Sequence, residues 1–88
     1  AIKDYSEAIK LSPKVPDWYN NRALIYFNLK KYDEALSDYN TAIELRSNYS
    51  LYYRNRARVF RAKGEFDKVV ADLKESLKTD PNHPVTLN

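Results

Sequence analysis

The chain of 88 residues contains no cysteine and no methionine, one glycine and one histidine. Without thiols it can form neither disulfides nor thiolate metal sites. A single glycine, Gly64, cannot build a glycine-rich phosphate-binding loop, and so little glycine also argues against a turn-rich β fold. His83 has no neighbouring ligand cluster for a metal and no candidate nucleophile to activate. The composition therefore predicts a protein that is not an enzyme and that uses no metal or other cofactor.

Long apolar runs and a strong excess of one charge are also missing. No segment approaches the roughly 18–20 consecutive apolar residues that span a bilayer, and no charged segment leads into the apolar stretch of a secretory signal. The net charge of +3 is small for a nucleic-acid binder. We therefore expect a cytoplasmic protein with no membrane span and no nucleic-acid partner. The alternative is a protein that binds RNA, as some helical proteins do.

What the sequence does contain is an internal repeat with an offset of 34 residues. The segment Tyr-Asn-Asn-Arg-Ala at 19–23 recurs as Tyr-Arg-Asn-Arg-Ala at 53–57. Within each unit the apolar residues follow a helical period, as Tyr19, Ala23 and Tyr26 do. Asp33 and Asp67 stand where a short carboxylate can cap a helix N-terminus. The pattern predicts helices near 1–11, 17–29, 34–46, 51–63 and 68–79.

These residues resemble the tetratricopeptide-repeat (TPR) family, in which small and aromatic side chains alternate at fixed places in a repeat of 34 residues. Small residues such as Ala23 and Ala35 let helices approach closely, and the rings fill the remaining space. The resemblance covers nearly the whole chain and implies an all-α superhelix of stacked antiparallel helix pairs, with about 2.5 repeats. It divides the chain into the second helix of a truncated repeat (1–15), two repeats (16–49 and 50–83), and the start of a following repeat or a tail (84–88).

The resemblance also implies that the first helix of each repeat lines a concave groove that binds a protein or peptide. Asn21 and Asn55 lie one repeat apart on that side, and their amides can donate and accept hydrogen bonds along a peptide backbone. Helical spacing independently groups the candidate binding residues on one face of each helix. These are Asn20, Asn21, Leu24 and Phe27 in the first repeat and Arg54, Asn55, Arg58 and Arg61 in the second.

The first helix of the second repeat is strongly basic on its groove side. Arg54, Arg58 and Arg61 follow one another at helical spacing, with no acidic residue between 54 and 63. Like charges at this spacing repel, so an anionic ligand such as a carboxylate or phosphate would stabilise the helix. A solvated basic face is the alternative. Leu24 and Phe27 offer an apolar surface beside it, unless a neighbouring helix covers them, so we expect an extended peptide with an acidic group over the second repeat and an apolar side chain over the first.

Two further features concern structure more than binding. Arg22 and Arg56 are expected to lay their apolar stems along the seam between repeats. The chain opens on the second helix of a repeat, so we expect a piece of a longer array. The first helix would then expose a face of Ile2, Tyr5 and Ile9 that could bind a partner or a second copy of the chain.

The segments 5–13 and 21–23 are similar to the TPR domains of Hsp70 and Hsp90 co-chaperones, which clamp a C-terminal carboxylate with Lys, Asn and Arg side chains. Asn21 matches one member of that clamp, whereas Leu51 and Asn55 stand where the resemblance expects Lys and Arg. Most of the clamp is therefore not matched. The sequence leaves three interpretations: a scaffold that binds an acidic peptide within a larger protein or complex, an adaptor for chaperone tails, and a self-associating array.

Overall fold

Within the part of the chain that the structure describes, the protein folds into five consecutive α-helices. The structure is a computed structural model that describes residues 1–79; the predicted tail with His83 lies outside the described residues. The five predicted helices and the all-α fold class are confirmed, and no helix boundary differs from its prediction by more than two residues. Within the described part of the chain, no helix has the length and apolar character needed to cross a membrane. The helices are α1 (Ile2–Leu11), α2 (Pro16–Asn28), α3 (Tyr32–Leu45), α4 (Ser50–Ala62) and α5 (Phe66–Thr79).

The helices stack in order along the chain. Helix α2 packs most extensively against α3, and α4 against α5, while contacts of α1 with α2 and of α3 with α4 join successive pairs. Ala23, Ala35, Tyr39 and Val59 form the central cluster and are almost completely buried. The two alanines allow the close approach of helices that the sequence predicts, and the ring of Tyr39 fills the space between them.

The turns after α2 and α4 have the same geometry. Each contains a residue with a left-handed backbone, Lys30 at φ 62° and Gly64 at φ 79°. The N–H of the following residue then donates to a carbonyl in the last helical turn. Lys31 N donates to the carbonyl of Tyr26 at 2.8 Å, and Glu65 N donates to that of Phe60 at 2.9 Å. This arrangement satisfies carbonyls that a helix end leaves unpaired. A glycine adopts it without strain, whereas a lysine does so at a cost.

The prediction that Asp33 and Asp67 cap α3 and α5 is wrong. Helix α3 begins at Tyr32 and α5 begins at Phe66, so both aspartates lie inside the first turn. Because Tyr32 and Phe66 are already helical, each aspartate is the second residue of its helix and not the residue before it. There the carboxylates still face the positive end of the helix dipole, and Asp33 accepts a hydrogen bond from Lys63 Nζ at 2.7 Å.

The expected exposed face of α1 is also partly covered. Ile2, Tyr5 and Ile9 are half-buried, because α1 turns this side toward α2. The ring centroid of Tyr5 lies 6.4 Å from that of Trp18. The first helix therefore packs as one layer of the stack.

Candidate functional site

The candidate binding face is built on α2 and α4, the two helices that the resemblance places along the groove. They touch directly, and side-chain hydrogen bonds join them. The hydroxyl of Tyr52 donates to Asp17 Oδ1 at 2.6 Å, and Asn55 Nδ2 donates to Asn20 Oδ1 at 3.0 Å. These bonds lie near the N-terminal ends of both helices. They fix the spacing of the two helices on which every predicted site residue lies.

The three predicted asparagines form one chain of amides across the helix pair. Asn20 is buried, with 8% of its surface exposed, and its side chain accepts from Asn55. Its own Nδ2 approaches Asn21 Oδ1 at 3.5 Å, which is at the outer limit for a hydrogen bond. Asn21 and Asn55 are half-buried at the face. The amide of Asn20 therefore connects the two helices, and Asn21 and Asn55 are the amides that a ligand could reach.

The apolar and basic parts of the predicted site meet at one point. The guanidinium carbon of Arg58 lies 5.4 Å from the ring centroid of Phe27, within the range of a cation–π contact. Phe27 is half-buried, because its other side packs against the core, with its ring centroid 5.8 Å from that of Tyr32. Leu24 is 38% exposed. The structure thus places the cation of Arg58, on α4, directly against the aromatic ring of Phe27, on α2.

The positive charge along α4 extends beyond Arg58. Arg61 is exposed and Arg54 is half-buried on the same helix. The charge of Arg58 also reaches the buried hydroxyl of Tyr39. Burial raises the pKa of Tyr39 to about 12, and the nearby positive charge of Arg58 opposes that rise. Arg58 is itself exposed, so its positive charge remains open to a ligand on the outer face of the helix pair.

A cluster around Tyr52 was not predicted. Tyr52 is fully buried, and its pKa is raised first by burial and then by its hydrogen bond to Asp17. The guanidinium carbon of Arg46 lies 4.3 Å from the ring centroid of Tyr49, and the rings of Tyr49 and Tyr52 meet edge to face at 4.7 Å. The repeat offset could not find this cluster, because the residue one repeat before Tyr52 is Trp18, which has no hydroxyl.

Arg22 and Arg56 are engaged inside the fold, as predicted, but through carboxylates that the sequence did not assign to them. Arg22 donates to both oxygens of Asp38 at 2.7 Å, and Arg56 donates to Asp72 at 2.9 and 2.6 Å. Both aspartates are buried. These hydrogen bonds raise the pKa of both arginines. A third bond from each arginine reaches the helix of the preceding repeat, so each guanidinium ties three helices together.

Comparison with family models and solved structures agrees with this architecture. A model described as tetratricopeptide repeat matches residues 16–49, and one described as TPR repeat matches residues 1–30. A comparison with curated proteins gave no significant match.

Three solved structures illustrate the likeness. The first TPR of Spaghetti (RPAP3), bound to the HSP90 peptide SRMEEVD, is 31% identical with a TM-score of 0.92, and the match covers 99% of this chain and 69% of that one. The TPR2B domain of yeast Sti1 in its pHsp70 complex is 32% identical with a TM-score of 0.88, covering 91% and 64%. The Arabidopsis OM64 TPR domain, at 24% identity, shares the fold with a TM-score of 0.92 and coverage of 99% and 72%. The chain belongs to the tetratricopeptide-repeat family, and its stacked helix pairs form a protein-interaction module.

Proposed function

We propose that the face of α2 and α4 binds an extended acidic peptide and so links this chain to a partner within a larger protein or complex. The contact between Arg58 and Phe27 is the observation on which this proposal rests. It offers one positive charge and one aromatic surface at the same point. A ligand with an acidic side chain next to an apolar one would use both groups at once.

The charge distribution supports an acidic ligand. Arg54, Arg58 and Arg61 lie on α4 without an acidic residue among them. Asp17 is the carboxylate on the same side of α2, and it already accepts the hydroxyl of Tyr52. A peptide carboxylate over α4 would therefore meet the exposed guanidinium groups of Arg58 and Arg61. Arginine is well suited to this contact because its planar fork can hold both oxygens of a carboxylate.

The amides supply the sequence-independent part of the contact. Asn21 and Asn55 flank the buried Asn20 on the two helices. Amide groups held in this way can bond the N–H and C=O groups of an extended backbone. Leu24 extends the apolar surface next to them. The proposed ligand is thus a peptide segment in extended form, with its acidic group over α4 and an apolar side chain over α2.

The test uses the acidic heptapeptide Ser-Arg-Met-Glu-Glu-Val-Asp with a fluorescent label, because a TPR domain of similar fold binds it. We expect Arg58→Glu to weaken binding by at least about 1 kcal/mol, or roughly fivefold in Kd, with unchanged helicity. Lys3→Glu on α1 is the matched control: it reverses the same charge at an exposed position away from the face. Equal weakening by both variants, or by neither, would remove the proposal.

A narrower function, an adaptor for the C-terminal tails of Hsp70 or Hsp90, is the second candidate. It is supported by the peptides in the RPAP3 and Sti1 structures. In this chain Leu51 and Asn55 stand where the clamp would need basic side chains, and Asn55 is bonded to Asn20. Amidating the peptide's C-terminus separates the two candidates. A tail adaptor would lose its ligand, whereas a face that recognises acidic side chains would retain most of its affinity.

A further inference from the structure

Helix α5 carries an exposed apolar stripe beside the side that packs against α4. Phe66 is 62% exposed, Val70 52%, Leu73 39% and Leu77 41%. Asp72 and Ser76 are buried. Each directly precedes a stripe residue, so they lie about 100° around the helix from the stripe. Since Asp72 is held by Arg56 of α4, the rotation of α5 is fixed and the stripe cannot turn inward.

The repeat itself indicates what kind of element such a stripe accepts. The equivalent side of α3 is covered by α4, and Tyr39 there is 1% exposed. One repeat later, Leu73 occupies the same place and stays open. The stripe therefore has the shape of a surface that another α-helix covers.

The spacing of the stripe specifies how a helix would pack on it. Its four residues are separated by four, three and four positions, which is the apolar spacing of two α-helices in a left-handed coiled coil. Residues beside such a seam contact the partner helix and decide its orientation. On the solvent side these flanking residues are Asp67 and Lys74, which are seven positions apart and of opposite charge.

We propose that the stripe on α5 binds the same stripe of a second copy of this chain, with the two α5 helices antiparallel. In that arrangement Phe66 lies against Leu77 of the second copy and Val70 against Leu73 of the second copy. Asp67 then faces Lys74 of the second copy, and by symmetry the pair occurs twice. In a parallel arrangement Asp67 would lie level with Asp67 of the second copy, and Lys74 with Lys74 of the second copy, so no pair of opposite charges would form.

The flanking charges are available for this contact. Neither Asp67 nor Lys74 forms an ion pair within residues 1–79, whereas the neighbouring lysines on the helix do: Lys68 Nζ lies 2.9 Å from Glu65, and Lys78 Nζ lies 3.7 Å from Glu75. The stripe is short, about 16 Å along the helix axis, so the interface is small and the dimer should dissociate in the micromolar range.

The test measures the dissociation constant of the 88-residue chain by analytical ultracentrifugation. Asp67→Lys gives two lysines beside the seam and Lys74→Asp gives two aspartates, so each variant alone should dimerise about tenfold more weakly than the wild type. An equimolar mixture of the two variants should recover wild-type affinity as a heterodimer, because every pair is again of opposite sign. Circular dichroism of each variant shows that it is folded.

Two results would overturn the proposal. A wild-type chain that stays monomeric up to millimolar concentration would show that some other segment or partner covers the stripe. A dimer that both charge reversals leave unchanged, or a mixture no tighter than its components, would show that the copies do not meet through antiparallel α5 helices. Val70→Asp adds an independent check, since a charge in the seam should abolish the dimer.

Discussion

The buried carboxylate of Asp72 provides a quantitative test of how the helix pairs are held together. It accepts hydrogen bonds from Arg56 Nε at 2.9 Å and Nη2 at 2.6 Å, and the residue is 3% exposed. Asp72→Asn preserves the size of the side chain but turns an amide N–H toward the guanidinium. One charge-assisted hydrogen bond is lost, and the positive charge of Arg56 remains partly buried without its counter-charge.

The expected loss of stability follows from the exposure of the two partners. Breaking a fully buried ion pair costs about 3–5 kcal/mol. The side chain of Arg56 is 21% exposed and keeps its hydrogen bond to Asn40, so some rehydration reduces the loss. We expect Asp72→Asn to lower the free energy of unfolding by about 2–3 kcal/mol. That is a large fraction of the roughly 5–10 kcal/mol typical of a chain this small.

Urea unfolding followed by far-ultraviolet circular dichroism measures this loss. Glu75→Gln is the matched control, because it removes a carboxylate of the same helix whose contact with Lys78 is 3.7 Å long and exposed. It should change stability by less than about 0.5 kcal/mol. If Asp72→Asn were no more destabilising than Glu75→Gln, the claim that buried arginine–aspartate pairs join the helices would be refuted.

Three further predictions concern the turn, the core and the amide chain. Lys30→Gly should raise the free energy of unfolding by about 0.5–1 kcal/mol, because it removes the strain of a left-handed backbone at a lysine. Gly64→Lys should lower the free energy of unfolding by about the same amount through backbone strain alone, because no atom lies within 4 Å of the added Cβ. Urea titration of both variants measures the two changes. The pKa of Tyr39 is raised from 10.0 to about 12, so the stability that its neutral hydroxyl contributes is present below pH 10 and is lost as pH rises through 12. In a pH series of melts Tyr39→Phe should reduce that alkaline loss by up to about 2 kcal/mol, and an unchanged loss would contradict the assignment. Asn20→Ala removes the acceptor of Asn55 and should cost about 1 kcal/mol by the same unfolding assay, whereas no loss would mean that water replaces the bond without cost.

The sequence predicts the helices and the aromatic positions that recur in both repeats, although it does not identify the aspartates that hold Arg22 and Arg56. Tyr19 and Tyr53 are matched by the repeat offset, and each hydroxyl bonds a carbonyl of the preceding loop, Pro13 in one case and Ser47 in the other, at 2.8 Å. The helices themselves follow from the same regularity. A contact that is made twice by equivalent residues leaves a periodic trace, and periodicity is what a single sequence displays most clearly.

The contacts between α2 and α4 that the sequence could not predict occur once. The contact of Arg58 with Phe27 joins residues 31 positions apart and has no equivalent set by the repeat. The bond from Tyr52 to Asp17 likewise links two helices through residues that do not match one repeat earlier. Such contacts depend on how α2 and α4 are placed relative to each other, which helical spacing within either helix does not determine.

The central claim is that the face of α2 and α4 is where a ligand binds, and a nuclear magnetic resonance titration tests it most directly. Backbone amide signals of the labelled chain would be followed as the acidic heptapeptide Ser-Arg-Met-Glu-Glu-Val-Asp is added. We predict that the largest shift changes fall at Asn21, Phe27, Asn55 and Arg58, with small changes along α1, α3 and α5. Changes concentrated on α3 and α5, or none at millimolar peptide, would contradict it.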